Sequence, residues 1–293
     1  MMIYPSLFLA IAIFSLVLAT IVRIRIFNRP YFGKEFSEQP DKVSSFSPTK
    51  IMSRELPVKS LTEKWLENPL LKLFTSDTPS KKLRKTYAHL YIPPTATKDN
   101  PASMVVYVHG NGATIEEAMA WLEFIYKDGF AVLLPEYRGF GNSGGHPGAK
   151  AIQDDLCHFY DESIKNNRID KKNVCFYARS LGGGIACNLA TTKPPKKLIL
   201  ESTYTNIHSV VDKWYVPSFL MWDCDFKTTK FLTGYQGQTL ICHGSNDATI
   251  KPWHAKKNLR AAHKATLKLF DATHADIYRK EEYQKEVLSF LRI

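Results

Sequence analysis

The stretch NVCFYARSLGGGIACNLA, residues 173–190, decides the fold. Asn173 to Ala178 is a short apolar run, Ser180 follows, and Gly182, Gly183 and Gly184 open a helix-like tail. A strand that turns through one serine into a glycine-opened helix is the arrangement of a nucleophile elbow, in which a tight, strained turn lifts the hydroxyl above a sheet. Such a turn needs small residues two before and two after the serine so that strand and helix backbones can approach. Ala178 and Gly182 hold those places. The usual pattern is G-x-S-x-G, so the first glycine is replaced by alanine. Taken alone, a small-x-Ser-x-Gly string is common, and Ser180 reads more readily as a polar residue in an ordinary turn. Its surroundings choose between the two.

Working outward, the chain alternates strand and helix from about Thr86. TYAHLYI alternates in polarity, MVVYVHG is a continuous apolar run, and IEEAMAWLEFIYKDG has helical spacing with a terminal glycine. Next come FAVLLPEYRG, a helix near 149–167, the strand NVCFYA, a helix near 182–192, then KLILEST, TLICHG and TLKLFDATH. Short apolar strands separated by helices imply an α/β architecture, a mainly parallel sheet covered on both faces. Right-handed crossovers place the C-terminal ends of its parallel strands on one edge. Chemistry is to be sought along that edge.

A serine hydroxyl is a weak nucleophile near neutral pH and requires a base, and the base requires an orienting group. With a strand-borne serine of this kind, the acid and then the histidine follow in chain order. Asp247 lies in SNDATI after the strand TLICHG, and His274 lies in DATHADI after the last strand. Both positions follow from the element count rather than from choosing among nine histidines. Asp271, three residues before His274, is an alternative acid, and Asp223 and Asp225 are weaker ones. His243 in HGSND is expected to serve structurally beside Asp247, and His109 in VHGNG to shape its loop. His146, His208, His254 and His263 read as surface or helix residues. A developing oxyanion needs preorganised N–H donors, each of order 10²–10³ in rate. The backbone N–H of Leu181, just after the serine, and that of Asn111, in the glycine-flanked loop after MVVYVHG, are the candidates; a glycine turn that binds nothing is the alternative for that loop.

Taken in order, YVHGNG, PEYRGFGNSGG, YARSLGGG, ESTYTNI, HGSNDATI and DATHADIY resemble the α/β-hydrolase superfamily, and within it the membrane-anchored, serine-aminopeptidase-like branch. The resemblance covers roughly Thr86 to Ile293. It implies a triad of Ser180, Asp247 and His274, with Asn111 and Leu181 as oxyanion donors and no metal or organic cofactor. Departures are Ala178 at the first elbow position and Glu136 where relatives often carry aspartate.

The N-terminus is a separate problem. Ile3 to Val22 runs twenty residues without a charge, enough for a helix to cross a bilayer core of about 30 Å. Arg23, Arg25, Arg29 and Lys34 follow and no Lys or Arg precedes, which favours an outside N-terminus and a cytoplasmic body. A cleaved signal peptide ending near Val17-Leu18-Ala19 competes, although it lacks a positive n-region. The expected organisation is an anchor over 1–28, a partly ordered linker over 29–85, and a catalytic domain over 86–293. Ser60 to Phe74 in the linker has the pattern of a short capped helix. A cap insertion over 203–234 carries Trp214, Tyr215, Phe219, Leu220, Met221 and Trp222, which pack on the body or line an acyl-chain pocket.

The net charge of +11 is scattered in lysine pairs such as Lys196-Lys197. No basic helix face or aromatic-interleaved stripe accompanies it, so nucleic acid is not an expected partner. Five cysteines show no CxxC and no metal-ligand spacing, and the three in apolar runs favour a reducing compartment. The expected reaction is hydrolysis of an acyl ester or thioester, with a lysophospholipid, a monoacylglycerol or an S-acylated protein as substrate. An aminopeptidase on short peptides is the second reading, and a silent lipid- or protein-binding scaffold the third.

Overall fold

The computed structural model describes residues 46–56, 85–145, 147–211 and 226–293. The expected anchor, the helix over Ser60 to Phe74, His146, Asp223, Asp225 and the apolar centre of the cap lie outside the described residues. No helix among the described residues is long and apolar enough to cross a membrane.

Eight described strands form one sheet: β1 (Lys50–Glu55), β2 (Lys85–Tyr91), β3 (Ala102–Val108), β4 (Ala131–Pro135), β5 (Ile169–Arg179), β6 (Lys197–Glu201), β7 (Gln238–Gly244) and β8 (Ala265–Phe270). Their spatial order is β1-β2-β4-β3-β5-β6-β7-β8. The β1–β2 and β2–β4 pairs are antiparallel and the other five are parallel. The mainly parallel α/β sheet expected from the sequence is therefore present. The stretch expected to be linker also contributes a strand, β1, whose KIMSRE leaves Lys50, Ile51, Ser53 and Glu55 exposed.

Period-2 alternation assigns side chains to the two faces. From β3, Met104, Val106 and Val108 enter one core with Phe176, Leu198 and Ile241, while Val105 and Tyr107 enter the other with Tyr177, Ile199 and Leu240. Helices α2 (Ala149–Ser163) and α3 (Leu181–Thr192) cover the first core through Leu156, Phe159, Ile185 and Leu189. Helix α1 (Ile115–Lys127) covers the second through Met119, Leu122 and Ile125. Each such fully buried side chain contributes about 1.5–3 kcal/mol relative to exposure.

Local sequence sets the limits of α1. Thr114 and Glu117 form a capping box, with the Thr114 amide donating to Glu117 Oε2 at 2.8 Å. Gly129, at φ +93°, follows the last turn in the left-handed conformation that ends many helices. Four further helices are described: α4 (His208–Val211), α5 (Thr228–Leu232), α6 (Trp253–Ala261) and α7 (Glu281–Arg292). Tyr283, Val287, Phe290 and Leu291 bury one face of α7.

The strand order reverses at β3, which pairs with β4 on one side and β5 on the other. In open α/β sheets such a switch point opens a crevice at the strands' C-terminal ends. The loop after β3 and the turn after β5 both end there.

Candidate active site

Ser180 stands between β5 and α3 at φ 52° and ψ −118°. A non-glycine residue at positive φ costs about 1–3 kcal/mol and persists only where its surroundings enforce it. The enforcement is visible. The Ser180 amide donates to Glu201 O at 2.9 Å, and Thr203 Oγ1 donates to Ser180 O at 2.8 Å. A side chain on Gly182 would drive into the Val108 carbonyl, and one on Gly183 into the Thr203 hydroxyl. The glycines are there because α3 passes against β3 and the β6 loop with no room for a Cβ. Ala178 is fully buried between Val108 and Leu200 in neighbouring strands, so its methyl group is accommodated.

His274 arrives from the loop after β8, and its Nε2 lies 3.0 Å from Ser180 Oγ. Its Nδ1 lies 2.6 Å from Asp247 Oδ2, in the loop after β7. Asp247 Oδ1 accepts the amides of Thr249 and Ile250 at 2.9 and 2.8 Å, which fixes the carboxylate plane. Burial alone would raise the Asp247 pKa, but hydrogen bonds from His243 and His274 outweigh it and hold the carboxyl well below its usual range. An ionised Asp247 requires the proton on Nδ1 of His274, leaving Nε2 free to accept from the serine. Ser180, read from its strand-to-helix turn, and Asp247 and His274, read from the element count, come together on this edge.

The loop after β3 closes the other side. A Cβ on Gly110 would stand 3.3 Å from Ser180 Cβ, so this loop lies directly against the serine. Asn111 is buried in the following turn, and Leu181 is buried as the first residue of α3. A first-turn helix amide has no partner within its own helix, which leaves the Leu181 N–H available beside Ser180. Behind the loop, His109 Nδ1 lies 2.8 Å from Gly110 O, and its ring stacks on Tyr137 with centroids 4.0 Å apart. Tyr137 Oη donates to His109 O at 2.6 Å. Glu136 Oε1 lies 2.8 Å from His109 Nε2, and its Oε2 accepts the Ile115 amide at 3.2 Å. The loop-shaping role expected of His109 is what these contacts describe. Gly141 makes room for the longer Glu136, since a Cβ there would strike the Glu136 carboxylate.

Residues 99–233 match the family model described as serine aminopeptidase, S33. The uncharacterized protein YfhR of Escherichia coli K12 is 21% identical over 202 residues, covering 64% of this chain and 71% of that protein. The lysophosphatidylserine lipase ABHD12 of Gallus gallus is 31% identical over 179 residues, covering 53% of this chain and 46% of the lipase. The chain thus spans about half the length of that relative. Among solved structures, the ferulic-acid complex of Est1E from Butyrivibrio proteoclasticus superposes with a TM-score of 0.59 at 16% identity, covering 71% of this chain and 93% of that one. The chain has the α/β-hydrolase fold.

The alternative acid is otherwise engaged. Asp271 accepts from Asn246 Nδ2 at 2.7 Å and is exposed. His243, expected to be structural, is fully buried; its Nε2 is 2.6 Å from Ile250 O and 3.3 Å from Asp247 Oδ2. His254 is a helix residue on α6, buried, with Nδ1 accepting the Thr205 amide at 3.2 Å. Sequence reasoning did not single out Arg179 or Glu201, although both border the elbow. Arg179 Nη2 donates to His274 O at 2.8 Å, and Arg179 Nε is 3.1 Å from Glu201 Oε1. The available signal was a charged pair ending two adjacent apolar strands. Among the described residues no group of three His, Cys, Asp or Glu gathers as metal ligands.

Proposed function

We propose that this protein is a serine hydrolase that cleaves carboxylic esters through an acyl-enzyme on Ser180. The observation that carries the reading is the hydrogen-bonded series from Asp247 through His274 to Ser180 Oγ, spanning three loops on one sheet edge. In the first half-reaction His274 Nε2 takes the Ser180 proton as Oγ attacks the acyl carbon. The oxyanion is met by the Leu181 and Asn111 amides, and the imidazolium then protonates the leaving alcohol. In the second, His274 deprotonates water as it attacks the acyl-enzyme, and the imidazolium returns that proton to Ser180 Oγ as the Oγ–acyl bond breaks and the acid leaves. Asp247 holds the imidazole tautomer and stabilises its cationic form throughout.

The substrate class rests on three converging supports. The lipase name of the Gallus gallus relative points to an acyl lipid. The cap expected between β6 and β7 would carry the mostly apolar stretch Trp214 to Trp222, and apolar linings suit acyl chains. The uncharged segment Ile3 to Val22 would tether the enzyme to the bilayer that holds such substrates. A thioester of a fatty acid fits the same machinery. The family model's description favours a second reading, a serine aminopeptidase acting on short peptides.

A panel of p-nitrophenyl esters of rising chain length, run beside aminoacyl-nitroanilides, separates the two. Rising kcat/KM with acyl length and no anilide cleavage is expected; preferential anilide cleavage would replace the ester reading with the peptidase one. Deleting residues 1–28 is expected to move the protein from the membrane to the soluble fraction. Unchanged sedimentation would remove the tether from the account.

A further inference from the structure

His274 is carried by the loop after β8, and β8 stands at the edge of the sheet, three places from β5. Its neighbours Thr273 and Ala275 are exposed or half-buried. Asp276 ties the turn locally, accepting from the Thr273 amide and hydroxyl at 2.6 and 2.7 Å. Those bonds shape the loop but do not connect it to the nucleophile. A proton-transferring side chain must be held within about 0.5 Å of its working position.

Arg179 makes that connection. It is the residue before Ser180 and the last of β5, and its Nη2 donates to the main-chain oxygens of His274 at 2.8 Å and Ala275 at 3.4 Å. The guanidinium lies 5.0 Å from the Trp121 ring centroid and 5.3 Å from that of Tyr278, so two aromatic faces limit its motion. Nε pairs with Glu201 Oε1, and Glu201 Oε2 accepts the hydroxyls of Tyr177 and Tyr283. The residue immediately before Ser180 is thereby bonded through its side chain to the main chain of the histidine.

Stability is a weak explanation for this arrangement. Arg179 and Glu201 have side chains only 10% and 1% exposed, and a buried ion pair is often no more stabilising than apolar residues of the same volume. What a planar, stacked guanidinium supplies is a fixed direction for its N–H donors.

We infer that Arg179 is a positioning residue that sets the His274 main chain against the nucleophile strand, with Glu201 orienting the guanidinium. The inference rests on the reading of Ser180 and His274 as nucleophile and base, and the experiment keeps the two apart. The rate of labelling by a fluorophosphonate is measured at rising probe concentration for the wild type, Ser180→Ala, Arg179→Lys and the double variant Arg179→Met/Glu201→Gln. The double variant removes both charges, so neither is left buried alone. Thermal unfolding is followed in parallel.

In folded variants, kinact is expected to fall about 10- to 100-fold with KI unchanged, the signature of misplaced groups rather than weakened binding. A folded double variant labelled at the wild-type rate overturns the positioning role and leaves the Ser180 assignment intact. Should the double variant not fold, Arg179→Lys decides: it keeps a cation beside Glu201 but lacks the fork, and a wild-type kinact in it overturns the role equally. Labelling that is absent from the wild type, or that persists in Ser180→Ala, removes the triad reading and this inference with it.

Discussion

Gly182 packs against the Val108 carbonyl so closely that no Cβ fits between them. The contact joins the first turn of α3 to the end of β3, and it holds the serine turn beside the loop that carries Asn111. Gly182→Ala must push the two backbones apart, at a cost of about 1–3 kcal/mol. Thermal unfolding and soluble yield are expected to fall together. Gly110→Ala faces a milder 3.3 Å approach to Ser180 Cβ and is expected to fold while reacting more slowly. A Gly182→Ala protein with wild-type melting would mean that the elbow is looser than described.

The two nearby aspartates should behave differently. Asp247 binds the histidine ring, whereas Asp271 binds Asn246 on the exposed side. Asp247→Asn is expected to lower kcat by about 10³–10⁴ through the wrong imidazole tautomer. Asp271→Asn is expected to stay within a few-fold of wild type. Equal losses in the two variants would contradict the assignment of the acid.

Acid stability offers an independent reading of Asp247. Its carboxyl titrates below the ordinary value of about 4 in the folded chain, because hydrogen bonds from His243 and His274 outweigh the effect of burial. A carboxyl with a depressed folded pKa lends stability above its unfolded pKa and loses it as pH falls toward the folded value. Urea unfolding of wild type and Asp247→Asn is expected to show a wild-type advantage at pH 6 that shrinks below about pH 4. A gap that stays constant to pH 2 would mean the aspartate is not held ionised.

Tyr283 reaches from α7 to donate to Glu201 Oε2 at 2.7 Å, beside Tyr177. Burial is the first reason that both phenols titrate well above their ordinary value, so they remain donors throughout the working range. Tyr283→Phe leaves the buried carboxylate short of one donor, and a loss of about 1–3 kcal/mol in unfolding free energy is expected. No change in melting would show that water substitutes freely for the hydroxyl.

The central sheet was legible because its strands are buried on both faces and therefore read as apolar runs, from MVVYVHG to TLICHG. The same logic located Asp247 and His274, since a parallel sheet puts successive strand ends on one edge. Strand β1 escaped because it pairs on one side only and, with Ile51 exposed beside the buried Met52, shows neither an apolar run nor a clean alternation. Arg179 and Glu201 escaped for a different reason. Each ends an apolar strand, where a charge reads as the solvated limit of the element, and only the fold shows that they face one another. Helix α7 carries Tyr283, Val287, Phe290 and Leu291 at helical spacing, a signal present in the sequence but not used.

The most direct measurement locates the covalent adduct after reaction with a fluorophosphonate, by mass spectrometry of the digested protein. A phosphonyl group on the peptide containing Ser180, absent from Ser180→Ala and slowed by orders of magnitude in His274→Ala, is the predicted result. An adduct on another residue, or equal modification of wild type and Ser180→Ala, would contradict the account.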